Sequence, residues 1–230
     1  MINKPLFDFL SQFVTDHKKE LMERVLTNRT RNLTFVLEDI FQSQNASAIV
    51  RTCECLGIQD LHIIETRSKY GTNLKVLKGS HNWINIIKHK CKKNEGPKSV
   101  FGQLKENGYK VLVTSVLPGS QSIYDIDPDE LGKIALVMGN ELHGASEIAQ
   151  ANADALVHIP MVGFTESFNV SVSAAICAST LLNKIRSSKK PWQLSAVEKE
   201  EIRMRWIRST VRKSDVLERN FIKSQRKNTE

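Results

Sequence analysis

The stretch IPMVGFTESFNVSVSAAICAS, residues 159–179, decides the fold. It begins as the end of an apolar strand, crosses a turn containing Gly163, and enters a helix rich in small residues. Its polar members Ser167, Asn169, Ser171 and Ser173 are neutral and sit where the strand hands over to the helix. In an open α/β sheet the carboxyl ends of the strands are where ligands bind. Two earlier stretches have the same design: QNASAIVRT, residues 44–52, and VMGNELHGAS, residues 137–146. The three read as one site assembled from three loops.

Outward from these loops, strands and helices alternate, which predicts an α/β fold with a mainly parallel sheet. Residues 32–40 are the first expected strand, a mostly apolar run suited to a sheet covered on both faces. Asn45 is the expected N-cap of a helix over 46–56 that Gly57 stops. A second strand over 58–65 completes a right-handed βαβ unit. Further strands are expected over 109–117, 131–138 and 155–161, a loop over 118–128, and helices over 99–107, 143–150 and 167–186. Between 66 and 96 the reading is coarser. It gives a short helix and a strand within 80–90, Trp83 as core, and an exposed turn around Lys88, Lys90, Lys92, Lys93 and residues 94–97. Apolar residues at helical spacing make 6–26 a helical N-terminal segment. They make 194–222 one more helix, with Met204, Ile207 and Val211 on one side.

The 230 residues, 40% hydrophobic and 25% charged, suffice for one large domain or one domain with appendages. No apolar run approaches the roughly 20 residues of a membrane span, and the N-terminus has no cleavable signal design. The expected compartment is the cytoplasm. Cys53, Cys55, Cys91 and Cys177 lack zinc or redox spacing and read as reduced, buried thiols. The net charge of +8 is uneven: residues 1–183 hold 19 basic and 19 acidic side chains, and residues 184–230 hold 14 and 6. A basic terminus of this kind is the footprint expected for a polyanion partner.

Within the expected helix over 46–56, Ile49, Cys53 and Leu56 form one apolar face, and Arg51 lies opposite beside Ala48 and Cys55. A helix apolar nearly all round is usually buried. An arginine there needs an anionic partner, or else snorkels to the surface. The three loops add Glu141, the amides of Asn45 and Asn169, the hydroxyls of Ser167 and Ser171, and backbone at Gly139 and Gly163 that a ligand can approach closely. No P-loop, clustered aspartates, GxSxG elbow, serine triad order or GxGxxG is present. These residues describe a metal-free cofactor or nucleotide pocket with a polyanion-binding tail. They do not choose the reaction.

The three stretches, taken in order, resemble the three motifs of the SpoU (TrmH-type) RNA ribose 2′-O-methyltransferases of the SPOUT superfamily. They run from Asn45 to Arg51 and Thr52, from Gly139-Asn140-Glu141 to Gly144, and from Ile159-Pro160-Met161 to Ser167-Phe168-Asn169. The resemblance implies an α/β fold whose mainly parallel sheet carries a C-terminal trefoil knot. The knotted methyltransferase domain would span 32–186, with helical extensions over 1–31 and 187–230. It also implies S-adenosylmethionine as cofactor, no metal, and a homodimer with the active site at its interface. The whole chain looks like the tRNA branch, which methylates the D-loop guanosine at position 18. The alternatives are a ribosomal RNA target, another tRNA nucleotide, or a catalytically silent RNA-binding protein.

Carried over residue by residue, the cofactor would lie among Thr114, Met138, Gly139, Asn140, Ile159, Met161, Ser167, Phe168 and Asn169. Arg51 would be catalytic, helped by Asn45, Glu141, Ser167 and Asn169. Arg51 either acts as a base activated by a substrate phosphate, or holds that phosphate and stabilises the developing alkoxide. Glu141 is expected to orient Arg51, with a structural cap as the alternative. Arg24, Arg29, Arg31, Arg186, Arg203, Arg208 and Arg212 are the expected RNA contacts. The chain departs from the usual third motif at Phe168, where Leu is common, and at Ser173, where Ala is common.

Overall fold

Every residue of the first strand, β1 (Leu33–Glu38), is buried. Its alternate side chains serve two cores: Leu33, Phe35 and Leu37 point into one and Val36 into the other. This is why LTFVLE reads as an unbroken apolar run. The computed structural model describes residues 4–91 and 97–227, with side chains to residue 225. It divides into two units, Thr30–Trp192, and Met1–Arg29 with Gln193–Glu230.

The larger unit is built on a seven-stranded sheet. Its strands are β1, β2 (Asp60–Glu65), β3 (Asn85–Lys90), β4 (Tyr109–Thr114), β5 (Gln121–Ser122), β6 (Lys133–Met138) and β7 (Ala155–His158), in the spatial order β3-β2-β1-β6-β4-β7-β5. All pairings are parallel. With α1 (Lys4–Ser11) and α2 (Asp16–Leu26) in the other unit, the helices here are α3 (Ser43–Leu56), α4 (Leu74–Leu77), α5 (Lys98–Glu106), α6 (Pro128–Leu131), α7 (Glu147–Ala151) and α8 (Val170–Ser187). Residues of α3 and α8 bury Ile49, Val50, Ala174, Cys177 and Leu181 on the face that holds Phe35 and Leu37. Residues of α5 and α7 bury Phe101, Leu104 and Ala149 on the other face.

Several boundaries differ from expectation, each for a local reason. Helix α3 starts at Ser43, so Asn45 lies in its first turn and is not its N-cap; Gln42 holds that position without a side-chain bond. Gly57 ends α3 in the left-handed conformation (φ 82°), as expected, and Ile58 N–H reaches the Cys53 carbonyl at 2.9 Å. The expected loop over 118–128 contains β5, whose two residues pair with the open edge of β7 while Ile123 and Ile126 are buried behind them. Two residues are too few to show a period. Of the exposed turn expected around Lys88, Lys88 and Lys90 belong to β3, and residues 92–96 lie outside the described residues. The cysteines are all free, but only Cys53 and Cys177 are buried, because Cys55 is on the outer side of α3.

The smaller unit contains α1 (Lys4–Ser11), α2 (Asp16–Leu26), α9 (Ala196–Thr210) and α10 (Ser214–Lys227). The single N-terminal segment expected over 6–26 is broken at Thr15, whose hydroxyl accepts the Lys18 N–H and caps α2. The single C-terminal helix expected over 194–222 is also broken. Val211 is extended, Lys213 is left-handed (φ 55°), and Ser214 Oγ donates to the Arg208 carbonyl at 2.8 Å. Met204, Ile207 and Val211 are nevertheless all buried. Phe9 stacks on Phe221, with ring centroids 4.8 Å apart.

Near the β3 edge of the sheet, His62 and His89 stack with Nδ1 and Nε2 2.9 Å apart. Burial, with His89 adding to it, lowers His62 to about 4. The unfolded chain accepts that proton near pH 6.5 and the fold refuses it until about pH 4, so stability is lost as pH falls through this window. From about pH 7.5 to about pH 5 the loss is on the order of 2 kcal/mol. Urea unfolding at both pH values should therefore show a smaller acid loss for His62→Gln than for the wild type; equal losses would remove His62 as the source.

Candidate active site

The segments that follow β1, β6, β4 and β7 surround a cavity of about 700 Å³ at the carboxyl edge of the sheet. The three sequence stretches meet there through a relay of side chains. Asn169, the N-cap of α8, accepts the Ser171 N–H (2.9 Å) and hydroxyl (2.6 Å) through its Oδ1. Its Nδ2 donates to Asn45 Oδ1 at 3.1 Å. Asn45 Nδ2 in turn donates to Glu141 Oε1 at 2.9 Å and to Gln42 Oε1 at 3.2 Å. The Glu141 carboxylate also accepts the backbone N–H groups of Phe41 (2.9 Å) and Gln42 (3.1 Å). Burial pushes the Glu141 carboxyl up, but the bonds from Asn45, Phe41 and Gln42 outweigh it and hold the group below its ordinary range. Glu141 is thus an ionised strut tying the segments after β6 and β1 to the start of α3.

A second set of contacts clamps the 139–146 segment to the end of β1. Glu38, 3% exposed, accepts the Ser146 N–H (2.9 Å) and hydroxyl (2.6 Å), and Ser146 caps α7. Burial raises the Glu38 carboxyl, with the two Ser146 bonds opposing it. Asp39 is left-handed (φ 50°), and its Oδ1 accepts the N–H groups of Thr66, Arg67 and Ser68. Its carbonyl accepts Asn140 Nδ2 at 2.7 Å. Sequence reasoning missed Glu38 and Asp39, although an acid closing an apolar strand was a visible signal. It also missed His158 and Glu166, which line the cavity.

The cavity wall includes Thr114, Met138, Gly139, Asn140, Ile159 and Met161, along with Ser167, Phe168 and Asn169 of the third stretch. Asn45 and Glu141 line it as well. Arg51 does not. It is exposed on α3, and its side chain makes no hydrogen bond or ion pair among the described residues. Of the two readings of Arg51, the exposed one holds: α3 buries Ala46, Ile49, Val50 and Cys53, while Gln44, Arg51 and Cys55 face out. The expectation that Glu141 orients Arg51 is corrected, since the bonds of its carboxylate go to Phe41, Gln42 and Asn45.

The expected RNA contacts also separate. Arg24 and Arg212 are exposed, and their side chains have no acidic partner among the described residues. Arg29 is fully buried, its guanidinium 5.4 Å from the Trp206 ring centroid, which withdraws it from any polyanion surface. Arg31 pairs with Asp60 at 2.9 Å. Arg186 is exposed, donates to the Leu56 carbonyl at 2.6 Å and stacks on Trp192. Arg203 forks onto Glu23 and Arg208 onto Glu218. Among the described residues no group of three or more His, Cys, Asp or Glu could hold a metal ion, and no helix is long and apolar enough to cross a membrane.

Because Asn45 and Glu141 act through one bond, Glu141→Ala and Asn45→Ala should not be additive. Each is expected to cost on the order of 1–3 kcal/mol, with a coupling of at least about 0.5 kcal/mol in a double-mutant cycle read by urea unfolding. Strict additivity would refute the relay.

Residues 32–179 match the SpoU rRNA methylase family. A tRNA (guanosine(18)-2′-O)-methyltransferase of Borreliella burgdorferi is 43% identical over 215 residues, covering 94% of this chain and 95% of that one. The crystal structure of the Aquifex aeolicus TrmH/SpoU tRNA modifying enzyme superposes with a TM-score of 0.76 at 27% identity, covering 86% of this chain and 98% of that one. The SpoU methyltransferase AviRb of Streptomyces viridochromogenes, solved with AdoMet, shares the fold with a TM-score of 0.59 at 20% identity, over 72% of this chain and 65% of that one. A match over the whole sheet and all three loops, joined to a relative so similar along almost its whole length, shows that this chain belongs to the SpoU methylase family.

Proposed function

We propose that the protein transfers a methyl group from S-adenosylmethionine to the ribose 2′-hydroxyl of the D-loop guanosine at position 18 of tRNA. The observation that carries this is the relay Asn169–Asn45–Glu141, which closes the family's motifs around one cavity. The relative 43% identical to this chain, named for guanosine 18 of tRNA, supports the target.

The cavity suits the cofactor. Met138, Val157, Ile159 and Val170 give apolar walls for a purine, and the carboxylates of Glu141 and Glu166 suit a cationic sulfonium and ammonium. When bound, the cofactor supplies an electrophilic methyl group. The protein's share is positioning, which accounts for much of the rate of such a transfer. The relay holds the wall that Asn140, Glu141, Ser167 and Asn169 form. Arg51, as a guanidinium, is a poor base near neutral pH and a good bidentate holder of phosphate. It would fix the substrate backbone and stabilise the developing alkoxide.

The working form we propose is a homodimer. Arg51 lies off the cavity wall of its own chain, and Phe41 (70%) and Leu142 (79%) are exposed beside the loops. A second copy would cover those side chains and bring its Arg51 to the cavity. We propose the trefoil knot as well. The chain leaves β7, three places from β1 in the sheet, and α8 packs back against α3 and α6, which supports a crossing of 159–169 over the ends of β4 and β6. Residues 32–186 would form the methyltransferase domain in the cytoplasm, with 1–31 and 187–230 as RNA-binding extensions led by Arg24 and Arg212.

The test uses labelled S-adenosylmethionine and unmodified tRNA transcript, with the methylated nucleotide mapped. Label at guanosine 18, absent with Arg51→Ala, is the expected result. Label elsewhere would replace the target, and tight RNA binding without label on any RNA would leave a silent binder.

A further inference from the structure

Residues 66–91 hold six basic side chains, Arg67, Lys69, Lys75, Lys78, Lys88 and Lys90, and no acidic one. The balanced charge of residues 1–183 hides this block. All six are exposed, and none forms an ion pair among the described residues. The Arg67 charge reaches Glu38, but the Glu38 oxygens are taken by Ser146. Elsewhere acids meet several exposed cations. Lys105 and Lys110 lie 3.6 Å and 3.7 Å from Asp154, and Arg208 forks onto Glu218.

The block forms one strip on a fixed backbone. Asp39, left-handed just after β1, accepts three successive N–H groups and sets the turn that carries Arg67 and Lys69. The Lys88 ammonium lies 4.9 Å from the Tyr70 ring centroid, which joins that turn to β3. Lys88 and Lys90 are two residues apart on a strand, so they point the same way, about 6.6 Å apart. That is close to the interval between successive phosphates of one nucleic-acid strand. Asn73 caps α4, which carries Lys75 and ends at Lys78, and its N–H donates to Ser47 Oγ at 2.8 Å. Ser47 and Arg51 are four apart and share a face of α3. The strip therefore runs from the Arg51 side of α3 to the open β3 edge of the sheet.

Lysines on an edge strand discourage pairing with another chain, which accounts for Lys88 and Lys90 and for none of the other four. An interfacial membrane site buries the apolar face of an amphipathic helix, and α4, with four residues, is too short to present one. A row of unpaired cations on a fixed backbone fits a regular polyanion. We propose that this strip is an RNA-backbone contact, taking the phosphates of the helical arm beside the target nucleotide, so that the strip and Arg51 grip one backbone. The inference rests on the methyltransferase reading, which supplies the RNA. It adds a contact surface within the larger unit to the terminal extensions.

Two paired variants test it, Lys75→Gln/Lys78→Gln and Lys88→Gln/Lys90→Gln. The control of equal charge is Lys110→Gln/Lys133→Gln, at the amino ends of β4 and β6. Affinity for unmodified tRNA transcript is measured from about 50 to about 200 mM KCl. Each strip pair is expected to lose at least about tenfold in affinity at physiological salt. The slope of log affinity against log salt becomes shallower by about 2, because each phosphate contact contributes about 0.9. The control stays within about threefold of wild type. S-adenosylhomocysteine affinity stays within about twofold in every variant, which reports an intact fold. Strip pairs that match the control in affinity and slope overturn the proposal. So does tRNA affinity that holds while binding to phosphatidylserine vesicles falls, which gives the surface to a membrane. The methyltransferase reading fails separately. Wild type whose tRNA binding depends on the strip, yet which transfers no label from S-adenosylmethionine to any RNA, keeps the strip and sinks that reading. Labelled tRNA with unaffected strip pairs does the reverse.

Discussion

Arg51→Lys is expected to lower single-turnover methyl transfer by about 10²–10³-fold, the range for losing one preorganised donor. Affinity for S-adenosylhomocysteine should stay within about twofold, because Arg51 does not line the cavity proposed for the cofactor and so adds no ground-state binding there. Arg51 is exposed and absent from the cavity wall, so it contributes nothing to that wall's packing. Lysine keeps the charge and loses the planar fork that engages two phosphate oxygens at once. Retained turnover would show that a point charge suffices. Loss of both turnover and affinity would make Arg51 a support of the cavity. The position of Arg51 adds a sharper test. In the proposed homodimer, Arg51→Lys chains mixed with chains defective in the cavity would assort into heterodimers. If each cavity takes its arginine from the other chain, one site of every heterodimer is intact, and random assortment restores about a quarter of wild-type sites. If the arginine acts within its own chain, every site in the mixture carries a defect and activity is not restored.

What could be read from the sequence divides along a physical line. The sheet was legible because buried parallel strands are apolar on both faces, as β1 and β6 show. The meeting of Asn45, Glu141 and Asn169 was legible because small polar residues recur where strands turn into helices. The partners themselves were not. The start of α3 is set by Glu141, about a hundred positions away, whose carboxylate takes the N–H groups of Phe41 and Gln42. A local capping rule therefore pointed to Asn45. Helical periodicity placed Arg51 opposite the core face correctly. It could not say whether that outer face met protein or solvent, and Gln44 and Cys55 are exposed beside it. The charge count behind the basic terminus was right in sum, yet it is blind to pairing. Arg203 and Arg208 are engaged by Glu23 and Glu218, and Arg29 is buried over Trp206.

Gly139→Ala is expected to abolish cofactor binding with the sheet intact. A Cβ at this position would lie 2.1 Å from the Ala145 nitrogen, 2.2 Å from the Gly144 carbonyl carbon and 2.5 Å from its oxygen. All three are backbone atoms, so no rotamer change relieves the contact. The 139–146 segment must open, breaking the paired bonds between Asn140 and Gly144, each 2.9 Å, that fold it into a tight turn. The Glu38–Ser146 clamp and the Asn140–Asp39 bond hold both ends of the segment, so the strain moves into the wall between them. Glu141 lies in that wall, and its shift would also unseat Asn45 and Asn169. Overpacking costs about 1–3 kcal/mol of stability. A wall displaced by about 1 Å costs about 10²-fold in function. The readouts are S-adenosylhomocysteine affinity by calorimetry and far-UV circular dichroism. Lost affinity with a wild-type spectrum is the expected result. Affinity within a few-fold of wild type would mean that the segment relaxes without moving Glu141, and that the cavity does not depend on the close approach at Gly139.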